Sequence, residues 1–133
     1  MPLFTWSDDY SVKNDELDSH HKKLISILND LYSECLKVDS DGCVGPKLDE
    51  LLAYADYHFK AEEQYMRQIQ YYEIDNHIDL HNGFTFKLGE MMRIHHASQL
   101  DLTKDLIIFI GKWLLHHVLE EDRKYANHAA GRA

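Results

Sequence analysis

The stretch YADYHFKAEEQYM places the strongest constraint on what this chain can become. His58 and Glu62 stand four residues apart, so on a helix they lie one above the other on a single face. That face is otherwise apolar: Leu48, Leu51, Leu52, Ala55, Phe59, Tyr65, Met66 and Ile69 recur at helical spacing. An imidazole and a carboxylate are therefore aimed into a core, where a polar group costs free energy unless a partner satisfies it. A metal ion is one such partner, and three further segments offer ligands.

The apolar periodicity predicts an all-α, up-down-up-down four-helix bundle with an irregular N-terminal arm. The arm covers 1–17, and Phe4, Trp6, Tyr10, Val12 and Leu17 let it dock on a core. A first helix over about 18–38 has Asp18 as its cap and the stripe His21, Leu24, Ile25, Leu28, Leu31, Tyr32 and Cys35. The loop DSDGCVGP follows, and Pro46 suits the first position of a second helix over about 46–70. A third, about 75–96, turns His77, Ile78, His81, Phe84, Leu88, Met91 and Met92 inward. A fourth, about 102–127, does the same with Leu106, Phe109, Ile110, Trp113, Leu114, His117 and Val118. The length of 133 residues suits one domain, 1–133, around one core.

Composition removes several function classes. A formal net charge of −9 provides no basic footprint for nucleic acid. The longest unbroken apolar run, Leu106 to Ile110, is too short for a membrane span, and MPLFTWSDDY lacks the basic and apolar regions of a secretory signal. Cys35 and Cys43 have no framework spacing, so a reducing cytoplasm is the expected compartment.

Histidine is the anomaly, with ten in the chain. His21 lies about 17 residues before the predicted end of its helix, and His58 and Glu62 lie about 12–16 after the start of theirs. His81 lies about 15 before its helix ends, and His117 about 15 after its helix begins. In antiparallel neighbours these levels nearly coincide. Singly, HxxxE and HxxxH are common on solvated helices. Together on one level, buried imidazoles without metal would leave many nitrogens unpaired. Of the tandem pairs, His21 and His117 share the apolar faces, so His20 and His116 are expected at the surface. His95, His96 and His128 fall at helix ends, where the dipole accounts for them. Spacing leaves the last acidic ligand open between Glu121 and Asp122, with regular α geometry preferring Glu121 at i+4 from His117.

The whole pattern resembles the hemerythrin family, in particular its single-domain bacterial members. The matching residues are His21 in DSHHKKL, His58 and Glu62 in HFKAEE, His77 and His81 in HIDLH, and His117 and Asp122 in WLLHHVLEED. TWSDDYSV also looks like the family's start. The resemblance favours Asp122 over Glu121. It implies a centre of two iron ions with a bridging oxo or hydroxo group. His77, His81 and His117 would bind one iron, His21 and His58 the other, and Glu62 and Asp122 both. Leu24, Phe59, Trp113, Leu114 and Val118 match the family's apolar oxygen-pocket lining and also suit plain core packing.

By ligand count the second iron keeps one position open, as reactive metal sites do. The resemblance then implies reversible dioxygen binding there, as hydroperoxide, for carriage, storage or delivery, without enzymatic turnover beyond a weak peroxidase-like activity. Partners would be dioxygen and a redox partner or oxygen-consuming enzyme, with no nucleic acid and no membrane. Competing readings are an oxygen or redox sensor, a di-iron enzyme acting on peroxide or nitric oxide, and a plain iron or zinc binder.

Overall fold

The computed structural model describes residues 4–35, 44–97 and 103–131. Helix α1 spans Asp15–Cys35, α2 Val44–Gln68 and α3 Ile74–Ala97. Helix α4, Thr103–His116, runs on through a π-helical segment, His117–Asp122, into α5, Arg123–Ala129. The chain is thus a four-helix bundle whose fourth rod is α4, the π segment and α5. α1 packs on α2 and α4, and α3 packs on α2 and α4, so each rod touches its two neighbours around a ring. There is no strand among the described residues, and none of their helices is long and apolar enough to cross a membrane.

The inward stripes meet in two layers. Leu24, Leu28, Leu31, Leu48, Leu51, Phe84, Leu88, Leu106 and Ile110 form the larger core. Val12, Leu17, Met66, Tyr71 and Tyr125 form a smaller one at the end of the bundle nearest the α2–α3 turn. Tyr32, expected inward, is 37% exposed. Cys43 and part of the loop around it lie outside the described residues, as do the side chains of Cys35, His95 and His96.

Local chemistry sets the helix ends. Lys13 takes a left-handed conformation (φ 59°), and the Asn14 side chain accepts from the Leu17 N–H at 3.1 Å. Asn14 is therefore the residue that caps α1, four positions earlier than the Asp18 cap that the sequence suggests. Asp18 instead sits in the first turn and holds the arm. Its carboxylate accepts from Ser11 Oγ at 2.6 Å and from the Val12 N–H at 2.8 Å. Farther out, Asn29 pairs with both backbone groups of Phe4, at 2.8 and 2.7 Å. The Phe4 ring in turn fills the space where a side chain at Gly111 would stand.

Helix α2 closes without glycine. Gln70 adopts φ 55°, and the Tyr71 N–H reaches back to the Met66 carbonyl at 3.0 Å, a tight helix-ending turn. The turn brings α3 back at once, so the carboxylate of Glu62 and the imidazoles of α3 fall side by side.

Removing the Asp18 carboxylate strands two donors of the arm. Asp18→Ala should lower unfolding stability by about 1–3 kcal/mol, read as a reduced urea midpoint. An unchanged midpoint would show that the Asp18 contacts add nothing to the fold.

Candidate metal centre

Four rods deliver side chains to one buried place. α1 brings His21, α2 brings His58 and Glu62, α3 brings His77 and His81, and the fourth rod brings His117 and Asp122. All seven are at most 4% exposed. Their donor atoms fall into two groups, Glu62, His77, His81, His117 and Asp122 in one, and His21, His58, Glu62 and Asp122 in the other.

Both carboxylates belong to both groups, one oxygen to each. Glu62 Oε1 lies 3.0 Å from His77 Nε2 and 2.9 Å from His81 Nε2, while Asp122 Oδ1 lies 3.0 Å from His77 Nε2 and from His117 Nε2. The opposite oxygens face the other way. Glu62 Oε2 is 3.0 Å from His58 Nε2 and 3.4 Å from His21 Nε2, and Asp122 Oδ2 is 3.1 Å from His21 Nε2.

These spacings discriminate between coordination geometries. Donors about 2.1 Å from a common ion stand about 3.0 Å apart at right angles, about 3.4 Å apart in a tetrahedron and about 4.2 Å apart when opposed. In the first group His77 and His117 Nε2 are 3.0 Å apart and His81 and His117 Nε2 are 3.2 Å apart, while His117 Nε2 and Glu62 Oε1 are separated by 4.0 Å. These short edges gather the donor atoms around one shared point between them. The second group repeats the short edges with fewer donors.

The unpaired atoms agree. His21 Nε2 and both Asp122 oxygens are fully buried and make no hydrogen bond among the described residues, although His21 Nε2 and Asp122 Oδ2 are only 3.1 Å apart. The distance is short but the direction is wrong, as it must be when lone pairs converge on a shared centre rather than on each other. Two cations would satisfy what the protein leaves open, so the residues fit a pair of metal ions.

Asp122 rather than Glu121 enters the cluster because the backbone is π-helical there. One π turn takes more than four residues, so i+5 from His117 returns to the inward face. Asp122 is buried, whereas Glu121 turns outward to Lys124 at 3.3 Å. Regular α geometry prefers the wrong carboxylate for this reason.

Charge in the metal-free cluster is held by protons. Burial opposes the charge on His21, but Asp122 and Glu62 outweigh it and raise its pKa to about 9. The same balance lifts His77 to about 10 and His117 to about 9. His58 is pushed down by burial, which Glu62 beside it does not offset. Burial alone would raise the Glu62 carboxyl, yet the surrounding histidines hold it well below the ordinary range. Asp122, which Glu62 also repels, is held low by His117 and His21.

Three contacts around the cluster were not anticipated. His20, expected in solvent, is 5% exposed and sets its Nδ1 3.0 Å from His58 Nδ1. His81 Nδ1 donates to Glu63 Oε2 at 2.9 Å. Tyr125, wholly buried, donates its hydroxyl to Glu62 Oε2 at 3.1 Å, and burial with the two carboxylates keeps that phenol protonated. Glu63 and Tyr125 carried a signal in hindsight, since Glu63 adjoins a ligand and Tyr125 follows Asp122 by three positions. His116 is exposed, as expected, and His128 meets the Ile69 carbonyl at 3.0 Å.

The residues matching an oxygen-pocket lining divide. Leu24, Leu114 and Val118 are buried core members. Phe59 stacks on His81 with centroids 4.0 Å apart, and Trp113 stacks on His117 at 4.4 Å, so these two rings brace ligands of the three-histidine group.

Fold and site together define a class: helical bundles that enclose a paired metal cradle of imidazoles and shared carboxylates. The family model for the hemerythrin HHE cation binding domain matches residues 12–129, and the chain belongs to the hemerythrin family. It is similar to the bacteriohemerythrin of Clostridium acetobutylicum, 32% identical, covering 92% of this chain and 98% of that one. It is also similar to a hemerythrin-like protein of Naegleria gruberi, 31% identical, covering 92% of this chain and 90% of that one. A crystal structure of wild-type hemerythrin shares the fold, with TM-score 0.86 at 24% identity over 98% of this chain and 99% of that one.

Metal must displace the protons. The raised imidazoles His21, His77 and His117 hold protons that metal must displace, so loading at pH 7 should release at least one proton. Calorimetry in buffers of different ionisation enthalpy reads that number, and none released would contradict the charge assignment. The linkage has a definite sign. Folded pKa values raised above about 6.5 stabilise the metal-free bundle below that pH, and the gain disappears as pH rises through about 9–10. Metal-free protein should therefore melt lower at pH 10 than at pH 7. An equal or higher melting temperature at pH 10 would contradict it.

Proposed function

We propose that this chain binds dioxygen reversibly at a non-haem di-iron centre. In this reading His77, His81 and His117 would hold one iron, His21 and His58 the other, and Glu62 and Asp122 would be shared between them, with an oxo or hydroxo group completing the centre. The observation that carries it is the division of both carboxylates, one oxygen of each toward either histidine group. When bound, the iron pair supplies two electrons that can be lent to dioxygen and recovered.

Everything else falls to the chain's own residues. The three-histidine group offers five protein donors and the two-histidine group four. The poorer group therefore leaves room for a small ligand beside His21 and His58, the feature that separates reactive from structural metal sites. Five imidazoles and two carboxylates stand here where oxidising di-iron bundles have two imidazoles and four carboxylates. Less negative charge around the ions disfavours oxidation past the ferric pair, which supports carriage over catalysis. Leu24, Leu114 and Val118 exclude water from the core, and a dry surround retards loss of reduced oxygen species. Phe59 and Trp113 fix the planes of His81 and His117 by stacking. Tyr125 and Glu63 orient Glu62 and His81 by hydrogen bonds.

The same proposal places the protein in a cytoplasm, beside a donor that keeps the irons ferrous or an enzyme that consumes the oxygen. A surface of formal net charge −9 does not favour nucleic acid as a partner.

Anaerobic reconstitution with ferrous iron tests the function. Two irons per chain should bind, and a charge-transfer band should appear in air and fade under vacuum. A single iron, or a band that never fades, would end the carrier reading. Shortening Leu114 to Ala opens the buried lining without touching a ligand. The variant should autoxidise several-fold faster, and an unchanged rate would remove the dry lining from the account.

A further inference from the structure

His20 stands outside both donor groups, yet it is buried against one of them. Its ring lies edge-on to His58, with centroids 5.2 Å apart, and is walled by Tyr54 at 5.9 Å and Tyr57 at 5.2 Å. Its Nδ1 is 3.0 Å from His58 Nδ1, and its Nε2 is 4.0 Å from Oε1 of the exposed Glu16.

Proton counting orients this row. His58 Nε2 faces the cluster, 3.0 Å from Glu62 Oε2, and must offer its lone pair to a metal. A neutral imidazole then carries its hydrogen on the other nitrogen. His58 Nδ1–H can only donate, so His20 Nδ1 can only accept. The hydrogen of His20 must sit on Nε2, the atom turned toward the Glu16 carboxylate. Each step leaves a single arrangement.

We propose that His20 is a positioning residue for the two-histidine metal position: it accepts from His58 Nδ1–H and so fixes the tautomer and ring orientation of that ligand. The inference rests on the two-metal reading above. It makes the two halves of the centre unequal. His81 donates to a carboxylate, Glu63 Oε2, at 2.9 Å, whereas His58 donates to a neutral ring. His21 Nδ1 has no hydrogen-bond partner among the described residues, so of the two imidazoles in this half only His58 has an outer partner there, and that partner is His20. Removing that support should loosen one metal position and spare the other, because partners of this kind contribute about 10–100-fold in metal affinity.

Zinc is the probe, since it needs no oxygen and no electron. The metal-free chain and its His20→Leu and His20→Asn variants are titrated with zinc against a competing chelator. Ring N–H resonances are followed by NMR in 15N-histidine-labelled protein. The unaltered chain should bind two zinc ions and show a slowly exchanging His58 Nδ1–H. In His20→Leu the tighter position should be unchanged, the weaker one about 10–100-fold weaker, and the His58 resonance lost to exchange. His20→Asn, whose Oδ1 can stand where Nδ1 stood, should restore both. If both positions are unaffected by Leu, or weaken equally, or Asn fails to restore the second, the inference is overturned and the two-metal reading stands. If the unaltered chain takes up one zinc only, both fall. Should His20→Leu not fold, His20→Asn decides alone: a retained His58 Nδ1–H with two zinc ions supports the role, and its loss overturns it.

Discussion

Two carboxylates sealed in a helical core, each facing imidazoles on both sides, impose the condition that the rest of the molecule meets. Glu62 and Asp122 are completely buried and ionised, and a buried charge without compensation is among the costliest things a fold can contain. The bundle surrounds them with five histidines drawn from all four rods. Protons on the histidines offset the two carboxylates without metal, and bound cations would do so with it. Metal binding to such a centre would be coupled to folding.

This condition explains features that would otherwise look like defects. Atoms of His21 and Asp122 are buried without hydrogen bonds, although burial of a lone polar group is normally penalised. The fourth rod departs from α geometry over His117–Asp122, one turn of the rarest helix type, and that turn brings Asp122 inward. Aromatic rings on His81 and His117, a phenol on Glu62 and a carboxylate on His81 hold these side chains in place around the centre.

Much of this was legible in the sequence because it follows from one repeating rule. The i, i+4 pairs at 58–62 and 77–81, set in apolar stripes, told both where the helices run and which way they face. Counting residues from the turns then brought four segments to one level. Where the rule changes locally, periodicity misleads. A period of 3.6 selects Glu121, and only likeness to a known pattern selects Asp122. His20 was set at the surface because it neighbours the inward His21, yet a wide helix face accommodates both when Tyr54 and Tyr57 of α2 close over the first. Asp18 has the composition of a cap but is outcompeted by Asn14, because Lys13 turns left-handed and the arm needs an acceptor. Such contacts depend on what lies opposite in space, which a one-dimensional pattern does not contain.

In the proposed centre two ions share both carboxylates. X-ray absorption at the iron edge of the loaded protein tests this sharing most directly. A strong iron scatterer within about 4 Å of each iron, in a shell of mixed nitrogen and oxygen, is the result expected for a bridged pair. Iron with no second iron at that distance would contradict the shared-carboxylate centre and the function built on it.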